Sequence, residues 1–345
     1  MLHQELHHLP GLVRRRIEMP RNVSMRLNRL ERPIAWPAEL VEEIRERCPA
    51  DLVQQYPNYP VFYRRLAAFV AQREENLVVG AGIEEFIRIL MAACFGQKVA
   101  VLWPSCAMFD VYADAFKIDL QRICTHPRQP RLTVDDVCRA VTADTRVLLL
   151  ANPGQPVETL FWVDEIKAIA NHCAKQGCIL AIDEAYHGFG ASSAIGLASR
   201  LTNVVVLRTF SKAMGAAGIR LGYAVGGPFT APLLNAVRQS GEVSSLSMSV
   251  ATVLMDRFWD LVQPAIADVV IGRIWLRSAF LKAGFAAWGE HANHVVVEVG
   301  TDCGRKVRAL AGEGILVRLC PDPLDGYMLV TAGPQPMMER FFEAF

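Results

Sequence analysis

The chain has 345 residues, 52% of them hydrophobic, and a formal net charge of only +1 from 36 basic and 35 acidic residues. A charge so close to zero excludes the strong electrostatic attraction that binding to nucleic acid or to an anionic membrane requires, so neither partner is expected. The length is sufficient for one large domain and a second, smaller one.

The nine cysteines are scattered along the chain and include no Cys-x-x-Cys pair. This distribution argues against a disulfide framework and against a zinc site, so no metal is expected. No apolar signal-peptide core follows the first residues, and no apolar run approaches the ~20 residues that span a bilayer. We therefore expect a reduced, cytoplasmic setting.

The N-terminal part of the chain is predicted to be irregular at first and then helical. The first 35 residues are basic and contain three prolines, so we expect an arm rather than a core element. Residues 37–47 and 62–73 have the apolar periodicity of two helices. Between them, the prolines and aromatics of residues 56–60 predict a turn-rich loop.

From residue 77 to residue 225, short apolar runs alternate with helical patterns. Because these runs show little alternation between apolar and polar residues, they indicate strands that are buried on both faces. The fold class that we expect is therefore α/β, with a mostly parallel sheet and helices on both faces. The predicted strands are residues 77–79, 99–102, 120–125, 147–151, 178–182, 204–207 and 221–225.

The last third of the chain has a different pattern. Residues 232–281 are largely helical, with a loop near residues 241–249. After residue 294, short strands alternate with helices, which is typical of a small α+β domain. The predicted strands there are residues 294–299, 315–319 and 327–330, and the predicted helices are residues 305–312 and 336–345.

These changes of pattern divide the chain into three expected parts. Residues 1–50 form the arm and contribute to the small domain. Residues 51–235 form the large domain, and residues 236–345 form the small C-terminal domain. We expect the large domain to carry the functional site, because the polar features described next follow its strands.

Polar and glycine-rich features follow several of the predicted strands. They are the turn at residues 80–84, the loop at residues 152–156, Asp183, Tyr186 and Lys212. In an open parallel sheet, ligands bind beyond the carboxyl ends of the strands. We therefore expect these features to converge on one edge of the sheet, and the turn at residues 80–84 to bind an anion at a helix N-terminus.

The stretch around Lys212 is the strongest of these features. Lys212 follows a buried strand, and Gly215, Gly218 and Gly222 allow the backbone to pack closely there. Arg220 adds a fixed positive charge. Such a lysine is typical of a Schiff-base nucleophile beside an anion site, although an ordinary solvated lysine in a surface loop is the alternative.

At this point the chain resembles the fold-type I pyridoxal-phosphate enzymes, and most closely the histidinol-phosphate aminotransferase group of the aspartate aminotransferase superfamily. The signature is Ser211-Lys212 with the glycines and Arg220 that follow it, supported by Asp183-Glu-Ala-Tyr186, which begins 212 − 183 = 29 residues upstream. The resemblance extends from residue 56 to the C-terminal helix. It implies a class I/II aminotransferase, a pyridoxal 5'-phosphate cofactor, a homodimer, and small amine and keto or aldehyde substrates.

The resemblance also implies roles for individual residues. Lys212 would anchor the cofactor covalently and act as nucleophile and general base. Asp183 would pair with the pyridine nitrogen, and Tyr186 would hydrogen-bond the phenolic oxygen. Tyr56 would reach the cofactor phosphate of the neighbouring subunit, although a packed loop aromatic is the alternative. The cofactor phosphate would be held by Thr209, Ser211, Arg220 and the backbone amides near Gly82, Ile83 and Glu84.

Four positions depart from the family pattern. Gln155 replaces the usual asparagine near the ring oxygen, and Cys106 replaces the aromatic residue that stacks on the ring. Ile83-Glu84 stands where Ser-Asp or Ala-Asp is common, which leaves the backbone amides available. Leu329 replaces the arginine that forks onto the substrate α-carboxylate, so this clamp is expected to be lost. Arg318 is a common family feature and need not replace it.

Three functions remain open on these observations. The first is an aminotransferase whose substrate is atypical, because the α-carboxylate clamp is missing. The second is a decarboxylase or another Cα lyase with the same cofactor, since one fold supports several reactions. The third is a non-catalytic relative, which the presence of both Lys212 and Asp183 disfavours.

Overall fold

The computed structural model describes residues 22–345, so the part of the predicted arm before residue 22 lies outside the described residues. The described part contains strands in three sheets, numbered here in chain order. They are β1 (Met25–Arg26), β2 (Leu77–Gly80), β3 (Lys98–Trp103), β4 (Asp119–Cys124), β5 (Thr145–Ala151), β6 (Ile179–Asp183), β7 (Val204–Thr209), β8 (Gly222–Gly226), β9 (Ala287–Trp288), β10 (His294–Glu298), β11 (Ile315–Leu316), β12 (Arg318–Leu319) and β13 (Tyr327–Thr331).

The predicted helices are present throughout the chain, with ends that differ by one to three residues. The helices of the structure are α1 (Ala38–Glu46), α2 (Tyr59–Val70), α3 (Ile83–Ala93), α4 (Met108–Ala115), α5 (Val134–Ala140), α6 (Val163–Gln176), α7 (Ile195–Ala198), α8 (Thr230–Val237), α9 (Ser245–Asp256), α10 (Gln263–Lys282), α11 (Cys303–Gly312) and α12 (Gln335–Ala344).

The large sheet has seven strands in the order β2-β8-β7-β6-β5-β3-β4. Strand β8 runs antiparallel to both of its neighbours, and every other pair of neighbouring strands is parallel. The prediction of a mostly parallel α/β sheet is thus confirmed. Because β2 runs parallel to β7, the carboxyl ends of β2, β3, β5, β6 and β7 all lie at one edge of the sheet.

Helices cover both faces of this sheet, as expected for strands that do not alternate between apolar and polar residues. Successive residues of β7 belong to different apolar clusters: Val204 and Val206 pack in one, and Val205 and Leu207 pack in the other. Since period-2 alternation sends neighbouring side chains to opposite faces, both faces of the sheet are buried. The sheet therefore forms a rigid base for the loops at its carboxyl edge.

A four-stranded antiparallel sheet, in the order β12-β13-β10-β9, forms in the C-terminal part of the chain. Its register sets Arg318 opposite Leu329, Leu329 opposite Val296, and Val296 opposite Trp288. Side chains directly opposite each other point to the same face of a sheet. The predicted strand at residues 315–319 is really two short strands, because β11 pairs with β1 instead of joining this sheet.

The N-terminal segment contributes to the core, contrary to the prediction of an arm without core elements. Leu27 is completely buried and Leu30 is 3% exposed. The Thr331 amide donates a hydrogen bond to the Leu27 carbonyl oxygen at 2.8 Å, and the Leu30 amide donates to the Thr331 hydroxyl at 2.9 Å. These contacts join residues separated by about 300 positions, which local sequence patterns do not reveal.

The loop predicted near residues 241–249 is shorter in the structure. Helix α9 begins at Ser245, because the Ser244 hydroxyl accepts a hydrogen bond from the Ser247 amide and caps the helix. The division into residues 1–50, 51–235 and 236–345 stays a prediction. Within residues 22–345, every helix is too short or too polar to cross a membrane.

Candidate active site

The site lies at the carboxyl edge of the large sheet, where three glycine-rich or polar segments meet in register. Gly222 at the start of β8 is opposite both Gly80 at the end of β2 and Thr209 at the end of β7. A Cβ on Gly222 would lie 2.8 Å from backbone atoms of Gly82 and 2.8 Å from the Arg208 carbonyl oxygen. Only glycine at position 222 allows the turn after β2 to pack against the end of β7.

Gly82 brings this turn next to the guanidinium group of Arg220. Gly82 precedes α3 with a φ of +85°, and a Cβ there would lie 3.1 Å from Nη2 of Arg220. A helix N-terminus combines unpaired amides with a partial positive charge, which favours a bound anion. Gly82, Ile83 and Arg220 therefore form a concave, electropositive surface.

Two hydroxyl groups complete this surface. The Thr209 hydroxyl donates to Ser211 Oγ at 3.0 Å and accepts a hydrogen bond from the Ser211 amide at 3.0 Å. Arg220 Nη1 donates to Ser211 Oγ at 3.4 Å. Guanidinium, hydroxyl and amide donors around one glycine-lined hollow match the requirements of a phosphate group.

The acidic side chains in the first turn of α3 are hydrogen-bonded to other protein groups. Tyr112 donates a hydrogen bond from its hydroxyl to Glu84 Oε1 at 2.9 Å. The buried Glu85 carboxylate accepts a hydrogen bond from the Ala81 amide at 2.5 Å and so closes the turn. Residues 83 and 84 thus offer the site their backbone rather than their side chains, as the sequence analysis expected for the departure Ile83-Glu84.

Lys212 lies between this anion surface and the N-terminal segment. Its Nζ donates a hydrogen bond to the Arg29 carbonyl oxygen at 3.2 Å and lies 6.0 Å from the centre of the Tyr186 ring. Burial lowers the pKa of Lys212 to about 8, and the carboxylates of Glu31 and Asp183 offset part of that effect. The amine is therefore far easier to deprotonate than an ordinary lysine, which is the property that a nucleophile requires.

Asp183 ends β6 directly beside this amine. Its Oδ1 accepts a hydrogen bond from the Ala185 amide at 2.9 Å, and within residues 22–345 it has no ion-pair partner within 4 Å. Burial raises the pKa of Asp183 to about 6, although the nearby Lys212 lowers it. A buried carboxylate of this kind is suited to a cationic ligand atom such as a protonated ring nitrogen.

Tyr186 and Cys106 lie in the same hollow. Tyr186 is buried, and burial together with the Asp183 charge holds its pKa well above the ordinary value. Cys106 keeps solvent-accessible surface although protein atoms surround it, which is the situation of a side chain that lines a cleft. Burial raises the pKa of the Cys106 thiol, so it is a neutral, polarisable contact rather than a nucleophile.

Two predicted residues lie at the margins of this cluster. Gln155 is half-buried on the loop after β5, next to Pro156. Tyr56 is 97% exposed and forms no hydrogen bond or ring contact with residues 22–345. The structure thus brings the predicted residues other than Gln155 and Tyr56 together.

Three residues near Lys212 were missed or set aside in the sequence analysis. Arg318 is the cross-strand partner of Leu329 and shares its sheet face, and its positive charge lowers the pKa of Lys212 and of Tyr186. Glu31 forms an ion pair with Arg26 at 2.5 Å. His294 is completely buried, with its ring centre 5.6 Å from that of Tyr186. The strand register that brings Arg318 and His294 here is not readable from the sequence.

Comparisons with known proteins agree with this geometry. A family model described as "Aminotransferase class I and II" matches residues 28–326. The chain is 29% identical over 326 residues to the histidinol-phosphate aminotransferase of Thermococcus gammatolerans, covering 94% of this chain and 91% of that protein.

Solved structures share the fold of this chain. The histidinol-phosphate aminotransferase from Sinorhizobium meliloti in complex with pyridoxal-5'-phosphate superposes with a TM-score of 0.84 at 22% identity, covering 94% of this chain and 90% of that one. The L-threonine-O-3-phosphate decarboxylase from Porphyromonas gingivalis superposes with a TM-score of 0.78 at 16% identity, covering 91% and 97%. The same fold thus occurs in proteins named for two different reactions.

The low pKa of Lys212 has a direct consequence for its reactivity. In the ligand-free chain, acylation of Lys212 by an amine-directed reagent, followed by mass spectrometry, should rise with pH around a midpoint near 8. The deprotonated amine is the reactive form, so a lowered pKa moves the midpoint below the ordinary lysine value of about 10.5. Glu31→Gln removes a negative charge and should lower the midpoint further. A midpoint near 10.5 would show that the amine is not desolvated.

Proposed function

The chain belongs to the class I and II aminotransferase family, and on this premise we propose that it transfers an amino group between an atypical amine or amino acid and a keto or aldehyde acceptor. The observation that carries the proposal is the position of Lys212. Its amine, with a pKa of about 8, lies near the Asp183 carboxylate, which has no ion-pair partner within residues 22–345. It also lies near the electropositive surface at Gly82, which suits a phosphate group. These are the three groups that this chemistry needs in one place.

The residues of the hollow fit pyridoxal 5'-phosphate. The phosphate group matches the donors of Thr209, Ser211, Arg220 and the amides that follow Gly82. The buried Asp183 carboxylate suits the ring nitrogen. When bound, this cofactor supplies an electrophilic aldehyde carbon and a ring that withdraws electrons from the Cα atom of an attached amine.

The protein side chains supply the remaining chemistry. Lys212, once its amine is free, is the base that removes and returns a proton at the substrate Cα. Asp183 would keep the ring nitrogen protonated, because its carboxylate favours a positive charge in a buried setting. Tyr186 has a pKa well above its ordinary value and therefore remains a hydrogen-bond donor at neutral pH. Gln155 and Cys106 tune the ring environment.

Arg318 is proposed to bind the anionic group of the substrate in place of the missing arginine at position 329. It lies one strand away from Leu329 on the same sheet face, and none of the hydrogen bonds or ion pairs within residues 22–345 involves its side chain. Neighbouring strands are about 4.8 Å apart, so an anion held by Arg318 lies about one strand spacing from the place that an arginine at position 329 would serve. A substrate whose negative charge lies beyond an α-carboxylate, such as a phosphate ester, fits this arrangement.

A homodimer is proposed, with Tyr56 reaching the active site of the neighbouring subunit. Tyr56 is almost fully exposed, on a loop that faces Val243 and Leu246 across an open groove of about 330 Å³. In an isolated chain, a tyrosine side chain this exposed contributes little to stability. Its hydroxyl could instead donate a hydrogen bond to the cofactor phosphate of a partner, and this supports the dimer.

The first test separates amino transfer from the alternative reactions. The protein loaded with pyridoxal phosphate should convert its cofactor to the pyridoxamine form with an amine donor and release a keto or aldehyde product, measured by absorbance and mass spectrometry. Lys212→Ala should abolish both the absorbance band of the lysine-bound cofactor and turnover. Release of carbon dioxide without pyridoxamine formation would instead favour a decarboxylase.

The second test concerns Arg318. Arg318→Leu should lower kcat/KM for anionic donors by about 50-fold, because a charge-assisted hydrogen bond to a carboxylate or phosphate is lost. Neutral amine donors should be nearly unaffected. The double variant Arg318→Leu, Leu329→Arg moves the guanidinium by one strand and serves as the matched control. Equal losses for neutral and anionic donors would contradict the role given to Arg318.

The third test asks whether Tyr56 acts across a subunit interface. Lys212→Ala and Tyr56→Ala subunits with different tags can be co-expressed and the mixed dimer purified. If Tyr56 acts in the neighbouring subunit, one of the two sites has both native residues, and up to half of the activity per dimer returns. If it acts within its own subunit, neither site is complete and no activity returns.

A further inference from the structure

A second cavity of about 310 Å³ lies directly behind the loops that carry the catalytic groups. Its wall includes Ala185, His187 and Ala213, which are the sequence neighbours of Asp183, Tyr186 and Lys212. The side chains of those three site residues do not line it. The cavity therefore adjoins the active site and meets it at Thr209, and the proposed reaction assigns no role to the rest of its lining.

Several aromatic side chains line the cavity. The Phe69 and Phe258 rings meet edge to face at 5.2 Å, and the Phe258 and Trp259 rings meet at 5.1 Å. Trp259 is 79% exposed and lies on the single π-helical turn at residues 258–262, just before α10. Protein interiors are normally packed without voids of this size, and apolar cavities of ~150 Å³ already bind benzene-sized molecules.

The inner end of the cavity is polar but carries no net charge. Arg208 Nε and Glu184 Oε2 form a buried ion pair at 3.0 Å, and Arg208 Nη2 also donates to the Ser193 hydroxyl at 2.6 Å. The Glu184 carboxylate accepts a further hydrogen bond from the Ala194 amide at 2.6 Å. Because these charges satisfy each other, the cavity gives no advantage to a charged ligand.

His187 is the polar group of the cavity that is left without a partner. Its imidazole lines the space, and its buried Nδ1 forms no hydrogen bond within residues 22–345. Burial and the Arg208 charge lower the pKa of His187 to about 3, so the ring is neutral at physiological pH. A neutral imidazole has one donor and one acceptor nitrogen and can bind an N–H or O–H group.

We propose that this cavity is a second binding site, for a small uncharged aromatic molecule of one or two rings that carries an N–H or O–H donor. The aromatic rings of Phe69, Phe258 and Trp259 would stack on the ligand, and His187 would bind its donor. A ligand there contacts the backbone next to Lys212, so its binding is coupled to the cofactor site, and by linkage the coupling is reciprocal.

The test uses indole as the probe and the full chain loaded with pyridoxal phosphate. Isothermal titration should show saturable binding of one indole per chain. Val70→Phe fills the cavity from α2 and should weaken binding at least tenfold. Val61→Phe adds the same side chain to a position of the same helix that is 45% exposed, and it should leave the affinity unchanged. Absence of binding, or equal binding by both variants, overturns the proposal.

Three further measurements keep the test decisive if Val70→Phe fails to fold. Trp259→Ala removes an exposed ring at the cavity rim and should weaken indole binding at least threefold without loss of folding. Indene, which lacks the N–H group, should bind at least threefold more weakly than indole, and equal affinity would overturn the role of His187. Saturating indole should also shift the absorbance of the lysine-bound cofactor. An unchanged spectrum would overturn the coupling, whatever reaction the enzyme performs.

Discussion

The amine of Lys212 and the carboxylate of Asp183 lie where protein atoms have replaced most of their water. Burial lowers the pKa of Lys212 to about 8 and raises that of Asp183 to about 6, so both shifts disfavour the charged form. The unliganded chain bears this desolvation cost, which a cofactor that pairs with both groups relieves. The rest of the fold maintains this arrangement, since Asp183 ends β6 and Lys212 follows the adjacent strand β7, and both strands are largely buried.

The N-terminal segment determines how closed the site is. The carbonyl oxygen of Arg29 accepts a hydrogen bond from Lys212, while Trp36 donates from Nε1 to the Gly215 carbonyl oxygen at 3.2 Å. The same segment is hydrogen-bonded to β13 through Leu27 and Leu30. A displacement of the small sheet would therefore be transmitted to the lysine loop. These hydrogen bonds connect the small sheet, which carries Arg318, to the loop of Lys212 through the N-terminal segment.

Sequence reasoning succeeded where the information is local. The strands before Asp183 and Lys212, the glycine turn before α3 and the family resemblance all depend on short patterns, and the fold and family predictions are confirmed. Sequence reasoning failed where strands that are far apart in the sequence pair with each other. The pairing of β1 with β11 and the position of Arg318 opposite Leu329 follow from register between remote segments, which no periodicity encodes. His294, a single histidine within an apolar strand, carried no signal at all.

The row Arg318, Leu329, Val296 and Trp288 explains why a lost arginine need not mean a lost anion site. Across an antiparallel sheet, neighbouring positions in such a row share one face, so a cation can move by one strand and still face the cleft. Under the role proposed for Arg318, the bound anion would lie about one strand spacing from the place that an arginine at position 329 would serve. A family can in this way retain the cofactor chemistry at Lys212 while altering the substrate, since the two functions reside on different sheets.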